Sequence, residues 1–392
     1  MAHSKEPSER LGVNIAFLVN SFLSEVAHKC PSGIDADYDE INLHMLSGVN
    51  ARGHGVMCPR DGKFGCSYVD ALEPVHTGPA TALLSWNWKY TAKTVVGALD
   101  AWCKRNGKDP KRVFIWQCAL CNNQFRFEDI KKHNMWKSPN DLFDEFKRRC
   151  LQDAIQNGEG ILCLLDPWHS PLYIKRIWCI FEVWVALDHG VRFTLLLSDE
   201  AERELTFTLQ GQHADLSPHL IDSVFSQVRI ENAEATSPKD KEYILGLIPN
   251  YHRVNHAVAE KLRSLLADTA AKPYENSMLS LDPSVRVGLQ TACNFLMQSG
   301  QVARSMGLLT VWKTRFEQAS LSWTGDYANL LLFIGTCHGM QGHHADEMAK
   351  YEEAIAAFEK ADLTQTGEYA NLLRNIGVCH DMQGHLVDAM AK

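Results

Sequence analysis

Ile161-Leu162-Cys163-Leu164-Leu165 runs directly into Asp166-Pro167-Trp168-His169-Ser170-Pro171-Leu172-Tyr173-Ile174-Lys175-Arg176-Ile177-Trp178-Cys179-Ile180-Phe181-Glu182-Val183-Trp184, and the reading of this stretch decides the fold. The five-residue apolar run is short and shows no polar alternation, so it reads as a strand buried on both faces, as in a parallel sheet. The apolar residues from Tyr173 to Leu187 then recur at helical spacing. That segment carries one carboxylate, Glu182, on an otherwise apolar, Trp-rich helix. An acid in such a place is costly to desolvate unless something needs it there.

The same alternation extends to both sides. Ala82-Leu83-Leu84-Ser85-Trp86 reads as a first strand, Thr94 to Cys103 as a helix, and Val113-Phe114-Ile115-Trp116 as a second strand. An amphipathic helix is predicted over 140–157, before the third strand at 161–165. Val191 to Leu197 gives a fourth strand, Val224 to Ile230 a weaker fifth, and residues 239–248 and 252–267 are helical. This order predicts an α/β fold, a parallel sheet flanked by helices on both faces. In such sheets sites form at the carboxyl ends of the strands. Ser85-Trp86-Asn87-Trp88, Gln117 to Gln124 and Asp166-Pro167-Trp168 each follow a strand and should converge on one edge.

Residues 1–80 read as an extension: an amphipathic helix over 8–29, then an irregular stretch with Cys30-Pro31-Ser32-Gly33 and Cys58-Pro59-Arg60-Asp61-Gly62 as turn signals. The α/β domain is expected over 81–267 and a linker over 268–281, with Pro273 and Asn276 within it. Residues 282–392 form a repeat. Gly325-Asp326-Tyr327-Ala328-Asn329-Leu330-Leu331 matches Gly367-Glu368-Tyr369-Ala370-Asn371-Leu372-Leu373, 42 residues on. Cys337-His338 and Met340-Gln341-Gly342-His343 match Cys379-His380 and Met382-Gln383-Gly384-His385. A weaker earlier copy holds Gly300, Met306, Phe316-Glu317 and Leu321 in the same phase. Each copy reads as two amphipathic helices that must stack on their neighbours, an all-α solenoid whose last repeat is incomplete. The pattern resembles tetratricopeptide (TPR) repeats of the kinesin-light-chain-like type, which implies a protein or peptide partner on the concave surface.

Composition narrows the classes. A chain of 392 residues with 45% hydrophobic and 22% charged residues is ordinary for a globular protein of two or more domains. A net charge of −8 argues against a general nucleic-acid binder. No segment has the roughly 18 apolar residues of a membrane span, and Glu6, Glu9, Asn14 and Asn20 interrupt the first apolar run, unlike a secretory leader. Twelve cysteines without a paired framework fit a reducing compartment, so a cytoplasmic location is expected.

Three motifs in the α/β segment occur in order. Ala82-Leu83-Leu84-Ser85-Trp86-Asn87-Trp88 resembles the first-strand motif of TIR domains and of the related fungal heterokaryon-incompatibility (HET) type. Val113 to Gln124 is similar to the HET Trp-Ile-Asp-x-x-Cys-Ile-Asn-Gln signature, with Gln117 in place of Asp. Ser170-Pro171-x-Tyr173-x-x-x-x-Trp178-Cys179-x-x-Glu182 resembles the TIR stretch ending in its catalytic glutamate, with Arg176 where a second Ser is usual. The resemblance implies a flavodoxin-like sheet, self-association of the domain, a role in intracellular or immune signalling, and in some members cleavage of NAD at the nicotinamide–ribose bond. That chemistry needs a carboxylate beside the ribose, where oxocarbenium character develops. Glu182 takes that position, with Ser85, Trp86, Trp88 and Trp168 shaping the substrate pocket. No resident cofactor is implied; NAD enters as substrate.

Other readings of the same residues stay open. Glu182 can equally pair with Lys175, Arg176 or Arg192, leaving a non-catalytic adaptor, and the repeats alone suggest a kinesin-light-chain-like cargo adaptor. Cys118-x-x-Cys121 has the spacing of a redox pair. A zinc site would need a second pair at ligand spacing, which Cys58 and Cys66, eight apart, do not supply. His338, His343, His344 and His380 read as helix-surface or packing residues.

Overall fold

The computed structural model describes residues 10–133, 158–211, 223–235, 237–275 and 280–382. The helix expected over 140–157 lies outside these residues. The chain divides into two compact units, Met1–Arg203 with Asp222–Leu262, and Glu204–Ile221 with Arg263–Lys392.

The first unit is built on six strands: β1 (Leu11–Asn14), β2 (Thr77–Pro79), β3 (Ala82–Ser85), β4 (Phe114–Trp116), β5 (Gly160–Leu164) and β6 (Phe193–Leu196). Their order across the sheet is β2-β1-β4-β3-β5-β6. The four strands read from the sequence, β3 to β6, are mutually parallel, with Ser85 opposite Cys163 and Leu164 opposite Leu196. The sheet as a whole is mixed rather than parallel, because β1 runs antiparallel to both β4 and β2.

The antiparallel addition has a local cause. Leu11, Ile15, Leu18 and Phe22 keep one helical phase, which hides the strand. Gly12 weakens the helix at that point, and it lies so close to β4 that a Cβ there would meet the Ile115 carbonyl carbon at 2.8 Å. Asn14 then caps the helix, its side-chain oxygen accepting from Phe17 N at 2.8 Å. Helix α1 therefore begins at residue 15 and runs to 29, with a π-turn at Leu18–Phe22. The fifth strand predicted at Val224 to Ile230 is instead helical over 223–226. Val224, Phe225 and Val228 are all buried, a spacing that suits a helical turn better than an alternating strand.

After α1 come α2 (38–46), α3 (Ala92–Arg105), α4 (Cys118–Cys121), α5 (Gln124–His133), α6 (Ile177–Asp188), α7 (Asp199–Leu209), α8 (Pro238–Gly246) and α9 (Tyr251–Ala271). Strand alternation divides the buried residues between two faces. Ala82, Leu84, Leu162, Leu164 and Ile115 share one core with Leu18 and Phe22 of α1, Tyr38 of α2 and Val95 and Leu99 of α3. Leu83, Ser85, Ile161 and Cys163 point to the opposite face, where α6 lies. Helix α6 is apolar nearly all round, as a helix enclosed by its fold must be.

The second unit is helical: besides the C-terminal parts of α7 and α9 it holds α10 (Pro283–Gln298), α11 (Val302–Gln318), α12 (Gly325–Met340), α13 (His344–Lys360) and α14 (Gly367–Met382), with α10 to α14 each packed on its chain neighbours in that series. The stretch read as a linker is ordered at its start, since α9 continues to Ala271 and a 3-10 turn follows at Lys272–Glu275. The 42-residue period recurs in the backbone. Gly300 and Gly342 have φ of 79° and 78°, and Ser320 and Asp362 both have φ of 57°. Thr324 and Thr366 each accept from the amide three residues on. Among the described residues no helix is long and apolar enough to cross a membrane.

Candidate functional site

The chain leaves β3 for β4 on one side and later returns to β5 on the other. The carboxyl ends of β3 and β5 therefore border the switch point at which ligands sit in open α/β sheets. Ser85 is the last residue of β3 and is 1% exposed. Its hydroxyl lies 2.6 Å from the Tyr173 hydroxyl, on the 3-10 turn Leu172–Lys175 after β5. The same Ser85 hydroxyl donates to Oε2 of Glu182, in the second turn of α6. Three segments 88 and 97 residues apart thus meet at one oxygen.

Proton inventory orders the cluster. A serine hydroxyl has one proton, and here it goes to the carboxylate. The Ser85 oxygen is then free to accept from Tyr173, so the donors align as Tyr173 to Ser85 to Glu182, each bond polarising the next. The Tyr173 hydroxyl also lies 3.3 Å from the Cys179 carbonyl and 3.5 Å from Cys163 Sγ. Burial pushes the Tyr173 phenol well above its ordinary value, which keeps it a donor. Burial also raises the Glu182 carboxyl to about 7; the Ser85 hydrogen bond and the Arg176 charge act in the opposite direction but do not cancel it. Glu182 nevertheless keeps partial solvent access. A carboxyl that is half-ionised near neutrality, hydrogen-bonded and reachable is suited to exchange protons or to face a cation.

Among the described residues Glu182 forms no ion pair. Arg176, whose positive charge acts on Glu182, is held at the start of α6 by backbone bonds from Ile177 N to Glu234 O (2.9 Å) and from Glu234 N to Lys175 O (2.8 Å). Its charge acts on Glu182, Cys118, Cys179 and Asp240 together.

The strand-end motifs do converge. Asn87 Nδ2 donates to Leu172 O at 2.8 Å, tying the loop after β3 to the turn after β5. Trp88 Nε1 donates to Cys118 Sγ at 3.3 Å, tying it to the start of α4 after β4. Cys179 Sγ contacts the Trp86 carbonyl at 3.3 Å, and Asp166 N donates to the Tyr90 hydroxyl at 3.3 Å. Trp86 and Trp88 are near-parallel, with centroids 6.2 Å apart. Their exposures differ: Trp86 is 3% exposed and Trp88 is partly open. Trp168 has no accessible surface, and its ring meets His169 edge-on at 5.7 Å. Of the three tryptophans, only Trp88 offers a solvent-facing wall.

Three participants escaped the sequence reading as site residues. Tyr173 and Arg176 lie inside the quoted motif and carry the signal, since both are polar residues between a strand end and an apolar helix. Tyr38 carries none. It is fully buried and packs edge-on against Trp86 with centroids 4.2 Å apart, from a distant segment of the chain. Beside it Gln117 is 1% exposed, with its side-chain amide against the Tyr38 hydroxyl.

Cys118 and Cys121 are free thiols. Burial raises both, Cys121 to about 12, whereas a redox-active pair lowers the attacking thiol to favour the thiolate. The candidate metal-holding groups among the described residues lie elsewhere, in the helical unit. No protein-family model, curated protein or solved structure matches this chain.

Proposed function

We propose that the α/β unit is a TIR/HET-like effector domain that hydrolyses NAD at the nicotinamide–ribose bond, and that the helical unit is a TPR-like protein-binding module of an intracellular signalling protein. The observation that carries this reading is the Tyr173–Ser85–Glu182 cluster at the switch point of the sheet. Glu182, in its ionised form, faces the ribose carbon as the C–N bond breaks and positive charge develops. Nicotinamide departs as a neutral molecule, taking the bonding electron pair. Water adds to the ribose carbon and releases one proton, giving ADP-ribose. Ser85 fixes the carboxylate rotamer, Tyr173 fixes Ser85, and Trp88 supplies an aromatic wall to the nicotinamide.

A second reading is favoured by burial. Ser85 and Trp86 are almost inaccessible and the cluster satisfies its own hydrogen bonds, as in a non-catalytic scaffold whose surfaces only assemble. The test is NAD consumption by the purified full chain, under crowding or forced clustering, against Glu182→Gln and Ser85→Ala. The enzyme reading expects Glu182→Gln to lose at least about 100-fold, the scale of a single essential electrostatic group. Equal turnover by both, or none by the wild type when clustered, removes the enzymatic role and leaves the scaffold. Capture of a partner by the full chain but not by a variant with a disrupted α12–α13 surface separates the adaptor reading, cargo adaptors included.

A further inference from the structure

The two helical copies differ where they should most resemble each other. In the first copy, Ser305 of α11 faces Cys337 of α12, with Ser305 Oγ 3.8 Å from Cys337 Sγ. Cys293 and Met297 of α10 fill the space beside them; both are buried, and Met297 Sδ is 3.3 Å from Cys337 Sγ. In the second copy Ser305 becomes Glu347, Cys337 becomes Cys379, and Cys293 and Met297 become Gly335 and Gly339, while His344 takes the phase of Val302. The two glycines are needed. A Cβ on Gly339 would collide with the Glu347 carboxyl, and one on Gly335 would meet Tyr351 Cε1 at 2.6 Å. Side-chain volume has been removed from α12 to admit a carboxylate and a phenol from α13.

What results is a convergence of three ligand chemistries. His344 Nδ1 lies 3.0 Å from Glu347 Oε2, and Cys379 Sγ lies 3.5 Å from the same oxygen. All three ligand atoms fall within 4.8 Å of one another. Glu347 and Cys379 are buried, while His344 is partly exposed and gives a way in. The other Glu347 oxygen is held by the Tyr351 hydroxyl at 3.0 Å. Zinc bond lengths of about 2.0–2.3 Å put tetrahedral ligand atoms roughly 3.3–3.6 Å apart; the Cys379–Glu347 separation of 3.5 Å falls in that range and the His344–Glu347 separation of 3.0 Å lies just below it.

The geometry points to a divalent metal site of the zinc class at the α12–α13–α14 junction, held by His344 Nδ1, Glu347 Oε2 and Cys379 Sγ, with a fourth position left to water or an incoming ligand. Mixed nitrogen, oxygen and sulfur donors select zinc or a like borderline ion over calcium or magnesium, which take oxygen ligands. Tyr351 acts as the outer partner that orients the carboxylate. Coordination exchanges the thiol proton for the metal, so binding releases a proton and strengthens as pH rises.

Cobalt(II) gives a direct readout, because only thiolate coordination adds a sulfur-to-metal charge-transfer band. The full chain, stripped with chelator, is titrated with Co2+ and then with Zn2+ against a competing indicator. One equivalent bound, with the charge-transfer band present, is expected. Cys379→Ser should abolish the band, and His344→Ala and Glu347→Gln should each weaken binding at least about 10-fold. Tyr351→Phe should cost about 10-fold, the low end for an outer partner. His344→Ala changes a partly exposed side chain, so it stays informative if circular dichroism shows Cys379→Ser to be unfolded. The proposal is overturned by a wild-type titration without the band, or by a band that persists in Cys379→Ser or at unchanged affinity in His344→Ala. It is overturned too by binding that survives those changes but is lost in His343→Ala, which would place the metal on the exposed His338–His343–Asp346 group.

Discussion

Glu182→Gln should make the α/β unit more stable, and more so as pH rises. A carboxyl raised from 4.5 to about 7 on folding holds its proton in the native state over a range where the unfolded chain has lost it. Its burial costs nothing below pH 4.5, and the cost grows through the interval and is complete above pH 7. The cost accrues at about 1.4 kcal/mol for each pH unit of that interval, which gives about 1 kcal/mol at pH 5 and about 3 kcal/mol at pH 8. Glutamine is isosteric and never ionises, so it escapes the penalty at every pH; its amide can still accept from Ser85, at a fixed cost for its new N–H groups. The observable is the difference in unfolding free energy between wild type and Glu182→Gln, from urea melts at several pH values between 5 and 8. Other titrating groups cancel in that difference. It should move toward the variant by about 2 kcal/mol across the range. A difference that stays flat with pH would mean that Glu182 ionises normally, and that burial does not prepare it for any proton or cation chemistry.

Ser85→Ala removes the donor that favours the ionised carboxylate, so the apparent Glu182 pKa should rise further, read from its carboxyl infrared band against a Glu182→Gln blank, with a loss of about 1–3 kcal/mol in stability. A fall in that pKa would contradict the proton order. Gly160→Ala places a side chain at φ 76° against the Arg192 carbonyl and should lower the melting temperature by the equivalent of about 2 kcal/mol or more. Gly97→Ala, in the middle of α3 with nothing near its Cβ direction, should raise stability by about 0.5–1 kcal/mol.

How far these features were legible depended on whether their cause was local. Strands β3 to β6 announce themselves because each is apolar and short, and the repeat because Gly325 to Leu331 and Cys337-His338 return 42 residues on as Gly367 to Leu373 and Cys379-His380. Glu182 was legible as an anomaly, a charge in apolar company. Its pairing with Ser85 required knowing that the β3 and β5 ends adjoin, which only their shared motif positions hinted at. Strand β1 was not legible, since Leu11 and Ile15 keep a helical phase and only Gly12 and Asn14 break it. Nor was Trp168's fate: an aromatic after a strand end reads as a pocket wall or as core alike, and the packing of His169 and its neighbours made it core. The apolar run at 224–230 reads as a strand because Val224, Val228 and Ile230 keep alternate positions, and only the burial of adjacent Val224 and Phe225 points to a helical turn.

The outer edge of the sheet beside β4 is closed by a late event. Val13 pairs with Ile115, and β2 then adds three residues ending in Pro79, which has no N–H to offer a further strand. On a growing chain the first strand meets β2 about 65 residues behind it and β4 only about one hundred residues behind it, so its edge toward β4 stands open longest. A chain begun at residue 81, where the motifs start, would leave β4 as a bare margin inviting foreign strands, and would take Tyr38 away from Trp86. Residues 10–80 thus serve as a hem on the sheet, and shortening the protein to its motif-bearing core should yield aggregates where the full chain stays dispersed.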